Sequence, residues 1–196
     1  MKKILMLFLI FLIVGCSNAK IYNDNKGCVS VGKSCDSTLA DMSGYVGFND
    51  LNHFFLPRSM SDINSFFDAD EDFIVYYGYK DCPWCKEAVP VLNDLAKEYD
   101  YKILYVNVKE DDKDLRDRSK KAYLDTLKHL DNYLAADHSG KKGMYVPAVY
   151  FVVDGEVVDY NIGTVATHNA NERVMNDEEK SELINIYRSA FEKIVK

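Results

Sequence analysis

An unbroken apolar and aromatic run, Phe73-Ile74-Val75-Tyr76-Tyr77, is stopped by Gly78. Its length suits a strand, and the lack of polar alternation predicts one buried on both faces. Beyond it, Ala88, Leu92, Leu95, Ala96 and Tyr99 recur at helical spacing. Residues 102–108 predict a second strand. Charged residues 110–120 then lead into a further helix carrying Tyr123, Leu127, Leu130 and Leu134 on one stripe. Residues 147–153 predict a third strand, and Asp154-Gly155 turns the chain into a hairpin partner over 156–160. Upstream, Ser61 is the expected N-cap of a helix with Ile63, Phe66 and Phe67 on its apolar face. Downstream, Leu183, Tyr187, Ala190 and Ile194 mark a closing helix, capped by Asn176 or Asp177, with Glu178 and Glu179 complementing its dipole. The order predicts one α/β domain over residues 48–196. Its first strands, joined by a helical crossover, should be parallel.

The N-terminus follows a different rhythm. Lys2 and Lys3 precede an apolar run, Ile4 to Val14, that is too short to span a bilayer and reads as a leader over residues 1–15. The run closes on Ile13-Val14-Gly15-Cys16, which resembles the lipobox of bacterial lipoproteins. That resemblance implies cleavage before Cys16 and a diacylglycerol thioether on its sulfur, an anchor of two acyl chains in the membrane. An ordinary signal peptide ending at a cysteine is the other reading, and both place the protein outside the cytoplasm. Residues 16–47 are small and polar without periodicity, and read as a tether.

Composition narrows the function. The chain has 196 residues, 47% of them apolar and 28% charged, enough for one domain with a core. A formal net charge of −7 with no basic tract excludes nucleic acid as a partner. Of five cysteines, Cys16 is assigned to lipid, which leaves two close pairs, Cys28/Cys35 and Cys82/Cys85. Outside the cytoplasm paired thiols tend to oxidise. Cys28 and Cys35 read as a local disulfide loop in the tether, with a redox relay as the alternative.

Cys82 and Cys85 admit three readings. Zinc needs four ligands, and the chain has no second such pair, while His53, His129, His138 and His168 are scattered. A structural staple has no use for asymmetry, and this pair is asymmetric. Cys82 stands at a strand–helix junction with Pro83 after it, a residue suited to the first helical position. The Cys82 sulfur would then face free backbone N–H groups and the positive end of the helix dipole, which favours a thiolate. Cys85, one turn later, lies on the same helical face within reach of a disulfide. The pattern predicts a redox pair that needs neither metal nor cofactor.

At this point the chain resembles the thioredoxin superfamily over roughly residues 48 to 195. Three features carry the likeness: Cys82-Pro83-Trp84-Cys85 after a buried strand, Pro90 five residues past the second cysteine, and Val146-Pro147 at the start of the next strand. The resemblance implies a thioredoxin-like fold with a central mixed sheet flanked by helices and a helical insertion after the second strand. It also implies a cis peptide before Pro147, and Trp84, Val146 and Pro147 as the substrate-binding residues. The leader, a tyrosine-rich strand and the charged insertion look like thioredoxin-like lipoproteins and bacteriocin transport accessory proteins. Two departures stand out. Tyr76 occupies the place of a buried carboxylate that serves the second cysteine, and Asp81 replaces a tryptophan, putting a negative charge beside Cys82.

The expected activity is extracytoplasmic thiol–disulfide oxidoreduction by a lipid-anchored protein, leaning toward disulfide formation or exchange, with a potential of roughly −230 to −150 mV. Expected partners are exported proteins or peptides bearing cysteine thiols or disulfides, the membrane through Cys16, and a membrane redox protein. A reductase of the same fold and a non-catalytic adaptor of an export system are the alternatives.

Overall fold

The computed structural model describes residues 38–109 and 120–195. Cys16, Cys28 and Cys35, and most of the charged stretch before the insertion helix, lie outside them. The chain runs through β1 (Phe55–Pro57), α1 (Met60–Asp68), β2 (Phe73–Gly78), α2 (Pro83–Glu98) and β3 (Ile103–Asn107). It continues through α3 (Lys121–His129), the short β4 (Ala135–Ala136) and β5 (Lys142–Gly143), then β6 (Ala148–Val153), β7 (Glu156–Ile162) and α4 (Asp177–Ile194). One sheet has the order β1-β3-β2-β6-β7, and β4 and β5 form a separate small ribbon. The strands β1, β3 and β2 are parallel, whereas β6 runs antiparallel to both β2 and β7. This is a mixed central sheet with helices on both faces, the arrangement that the sequence resemblance implies.

Alternation along β2 builds both layers. Ile74 and Tyr76 enter one core with Leu92 of α2 and Phe191 of α4. Phe73, Val75 and Tyr77 enter the other with Ile63 and Phe67 of α1 and Tyr123 of α3. All six β2 residues are buried, as the unbroken apolar run predicts. The turn into β7 has Asp154 and Gly155 both at positive φ, 50° and 72°, the signature of a two-residue hairpin turn that matches strand twist.

Several details differ from the sequence reading. The cap of α1 is Ser59 rather than Ser61, because Asp62 returns a bond to the Ser59 backbone and closes a capping box. The stripe Tyr123 to Leu134 is not one helix: α3 stops at His129, and a 3-10 turn covers Asp131–Tyr133. Helix α3 is held to α1 by the buried Thr126 hydroxyl, which donates to Asn64 Oδ1 at 2.9 Å, and by His129 stacked on Phe67. The last residues of the segment read as tether belong to the core. Ala40, Met42 and Tyr45 are buried in the core, and the Ala40 N–H donates to Phe55 O at 3.0 Å. Isolated apolar residues in a polar stretch carry no periodicity, so the boundary at residue 48 falls several residues late.

Candidate active site

Cys82 is the N-cap of α2 and Pro83 opens the helix, where its missing N–H costs nothing. The Cys85 backbone N–H donates to Cys82 Sγ at 3.3 Å, so the sulfur occupies the place of a capping oxygen. Further along α2, Pro90 lies inside the helix and cannot donate to the carbonyl one turn back. Cys82 is 3% exposed and Cys85 fully buried. Both thiols are free.

Their acidities diverge. The Cys82 thiol is lowered from 9.0 to about 7, chiefly because the Cys85 thiol hydrogen-bonds it; burial opposes this, and the N–H groups of Cys85 and Trp84 assist. Burial pushes the Cys85 thiol well up, and the neighbouring Cys82 sulfur adds to the rise. Of the two, only Cys82 is therefore a thiolate to a useful degree near neutral pH. The helix end, singled out from the sequence, is one contributor, and the partner thiol is the larger. Asp81 is exposed and lies 4.0 Å from Lys109 Nζ, the setting of a solvated loop charge.

The Val146–Pro147 peptide is cis. Pro147 is buried, and its carbonyl accepts the Gly163 N–H at 2.8 Å, fixing the loop beside the cysteines. The Cys82 S–H faces Val146 O at 3.7 Å, so this loop lies over the reactive sulfur. A groove of about 460 Å³ opens here, lined by Trp84, Val146, Tyr145, Ile162 and the ribbon residues Ala135 to His138. Trp84 is half-buried, packed against the core. Cys82, Cys85, Trp84, Val146 and Pro147 thus converge at one end of the sheet. Among the described residues no cluster of three or more His, Cys, Asp or Glu side chains could hold a metal ion.

No known family pattern matches the chain, and no curated protein does. Solved structures similar to it include thioredoxin O2 from Arabidopsis thaliana in the oxidized state, with TM-score 0.43 and 16% identity over 76% of this chain and 100% of that one. Thioredoxin NaTrxh from Nicotiana alata gives TM-score 0.45 and 13% identity over 76% and 100%. Oxidised thioredoxin from Plasmodium falciparum gives 0.38 and 17% over 69% and 92%.

Two parts of the site escaped the sequence reading. One is the β4–β5 ribbon, whose two-residue strands are too short to show a period. The other is a set of tyrosines that joins Tyr76 around Cys85: Tyr45, Tyr79 and Tyr187 also interact with it electrostatically. The fourteen tyrosines of the chain were the available signal.

Proposed function

We propose that this protein is an extracytoplasmic thiol–disulfide oxidoreductase, anchored by lipid on Cys16 after removal of residues 1–15, that forms or exchanges disulfides in exported proteins. The observation that carries the chemistry is the unequal placement of two adjacent sulfurs, Cys82 capping α2 with the Cys85 N–H at 3.3 Å and Cys85 fully buried, an arrangement that lowers the Cys82 thiol to about 7 and raises that of Cys85. With the pair oxidised, a substrate thiolate attacks Cys82 Sγ, the Cys82–Cys85 bond breaks, and Cys85 leaves as a thiolate that takes up a proton. A second substrate thiolate then attacks the substrate sulfur of the mixed disulfide and expels the Cys82 thiolate, a good leaving group at its lowered pKa. The substrate has gained a disulfide and the protein two electrons, which a membrane redox protein removes. Trp84, Val146 and Pro147 hold the substrate chain along the groove.

A reductase running the same steps backwards is the second reading. What favours it is the Cys82 value of about 7, which is near thioredoxin's and far above that of the strongest dithiol oxidants. Paired assays on the folded domain separate the readings: oxidation of reduced ribonuclease and reduction of insulin, each with wild type and Cys82→Ser. Disulfide formation that Cys82→Ser abolishes is expected. Turnover of insulin alone assigns the reductase role, and a wild type inactive in both assays points to the adaptor.

A further inference from the structure

Resting on the exchange reading above, we propose that the β4–β5 ribbon is the specificity-determining wall of the groove beside Cys82. It selects extended chains that carry a large apolar side chain two residues from their cysteine. Val146 joins the groove to the chemistry: its carbonyl lies 3.7 Å from Cys82 Sγ, and with Trp84 and Ile162 it lines the groove. A chain bonded through its cysteine to Cys82 is therefore delivered to the groove. In an extended chain neighbouring side chains point to opposite faces, so the one entering beside the cysteine is two residues away. Ala135 and Ala136 bring the ribbon into the lining, and their small side chains leave about 460 Å³ open for it.

The ribbon is a fixed wall. Tyr133, two residues before β4, packs edge-on against Tyr160 of β7 with centroids 5.4 Å apart. Lys142 Nζ donates to the Asp131 carbonyl at 2.6 Å, and Met144, directly after β5, is buried in the core that holds Tyr123 and Leu130. At the tip the Asp137 carboxylate accepts the Ser139 N–H at 2.8 Å, the Ser139 hydroxyl at 2.6 Å and the Lys141 N–H at 3.0 Å. A wall ordered in advance costs no ordering when a substrate enters, so apolar surface buried there is realised as affinity. The same turn disfavours acidic substrates. Asp137, with His138 beside it, lines the groove, and an acidic side chain entering there meets its charge and loses water. Cysteine is among the residues most often buried in folded proteins, so its apolar neighbours are open to the groove in chains not yet folded. The ribbon thus directs the cysteine pair to unfolded exported chains.

Two peptides test this on the full chain, one with phenylalanine two residues to either side of a single cysteine and one with glutamate there. The oxidised protein should join two phenylalanine peptides into a disulfide about tenfold faster than two glutamate peptides, each rate taken relative to that with hydroxyethyl disulfide. Ala136→Glu should widen that ratio and Ala136→Lys should narrow or invert it, opposite signs that a disturbed fold would not give. Binding gives a second readout, because Trp84 is the one tryptophan of the chain and lines the groove. With serine in place of cysteine, the phenylalanine peptide should shift its fluorescence at about tenfold lower concentration than the glutamate peptide. Equal wild-type rates for the two peptides overturn the proposal, as does a common factor of change for both peptides in both variants. A dimer that Ala136→Lys dissociates would assign the groove to a second copy and overturn it too. A wild type that exchanges disulfides with neither peptide overturns the proposed function, and the fluorescence order then decides the groove alone.

Discussion

Cys82 differs from an ordinary cysteine by where its sulfur sits. With its thiol lowered to about 7 by the Cys85 thiol and the helix N–H groups, its thiolate fraction rises through neutral pH. Alkylation by iodoacetamide should follow that rise, reaching half its plateau rate near pH 7, with Cys85 unmodified throughout. Mass spectrometry of each site across pH 5 to 9 checks this, and a midpoint at the ordinary value of 9.0 would contradict it. The pair, its asymmetry and Val146-Pro147 were all legible, because each is a local pattern: a spacing of three, a proline after a cap, a proline opening a strand. Tyr45 and Tyr105 were not. They meet Tyr76 only through the sheet register and a segment that, read alone, looks like tether.

Among the elements, those with a long period were legible and the short ones were not. Helices α2 and α4 declared themselves through their apolar stripes, whereas β1, three residues long, gives too few positions for a pattern. The start of α4 carries its own prediction. Glu179 accepts both guanidinium nitrogens of Arg173 and the Thr167 hydroxyl, and closes a capping box with Asn176. The Arg173 guanidinium, with the Asn176 N–H, holds its carboxyl down from 4.5 to about 2. A carboxylate depressed by folding stabilises above its unfolded value, and that contribution fades as pH falls from about 4.5 toward 2. Glu179→Gln should therefore melt below wild type at pH 7, with the gap narrowing between pH 4.5 and 3. A gap that stays constant with pH would assign the residue a role in packing alone.

For the whole molecule, the sheet order places the cysteine pair, the Pro147 loop and the ribbon at one end of the domain, so a chain docking in the groove would meet all three together. Anchoring would keep that end near newly exported chains. Cys16→Ala should therefore lose the lipid mass and leave the membrane fraction, or accumulate with its leader uncut; fractionation with intact-mass analysis reads this, and a lipid-free wild type in the medium would contradict it. The central claim, however, is that Cys82 and Cys85 are one reversible couple. Equilibrating the protein in glutathione buffers and counting both thiols by mass tests it most directly. The predicted result is one two-electron transition in which both cysteines convert together at roughly −230 to −150 mV. A potential below about −260 mV would reverse the assigned direction. Thiols that stay reduced across the whole series would contradict the account itself.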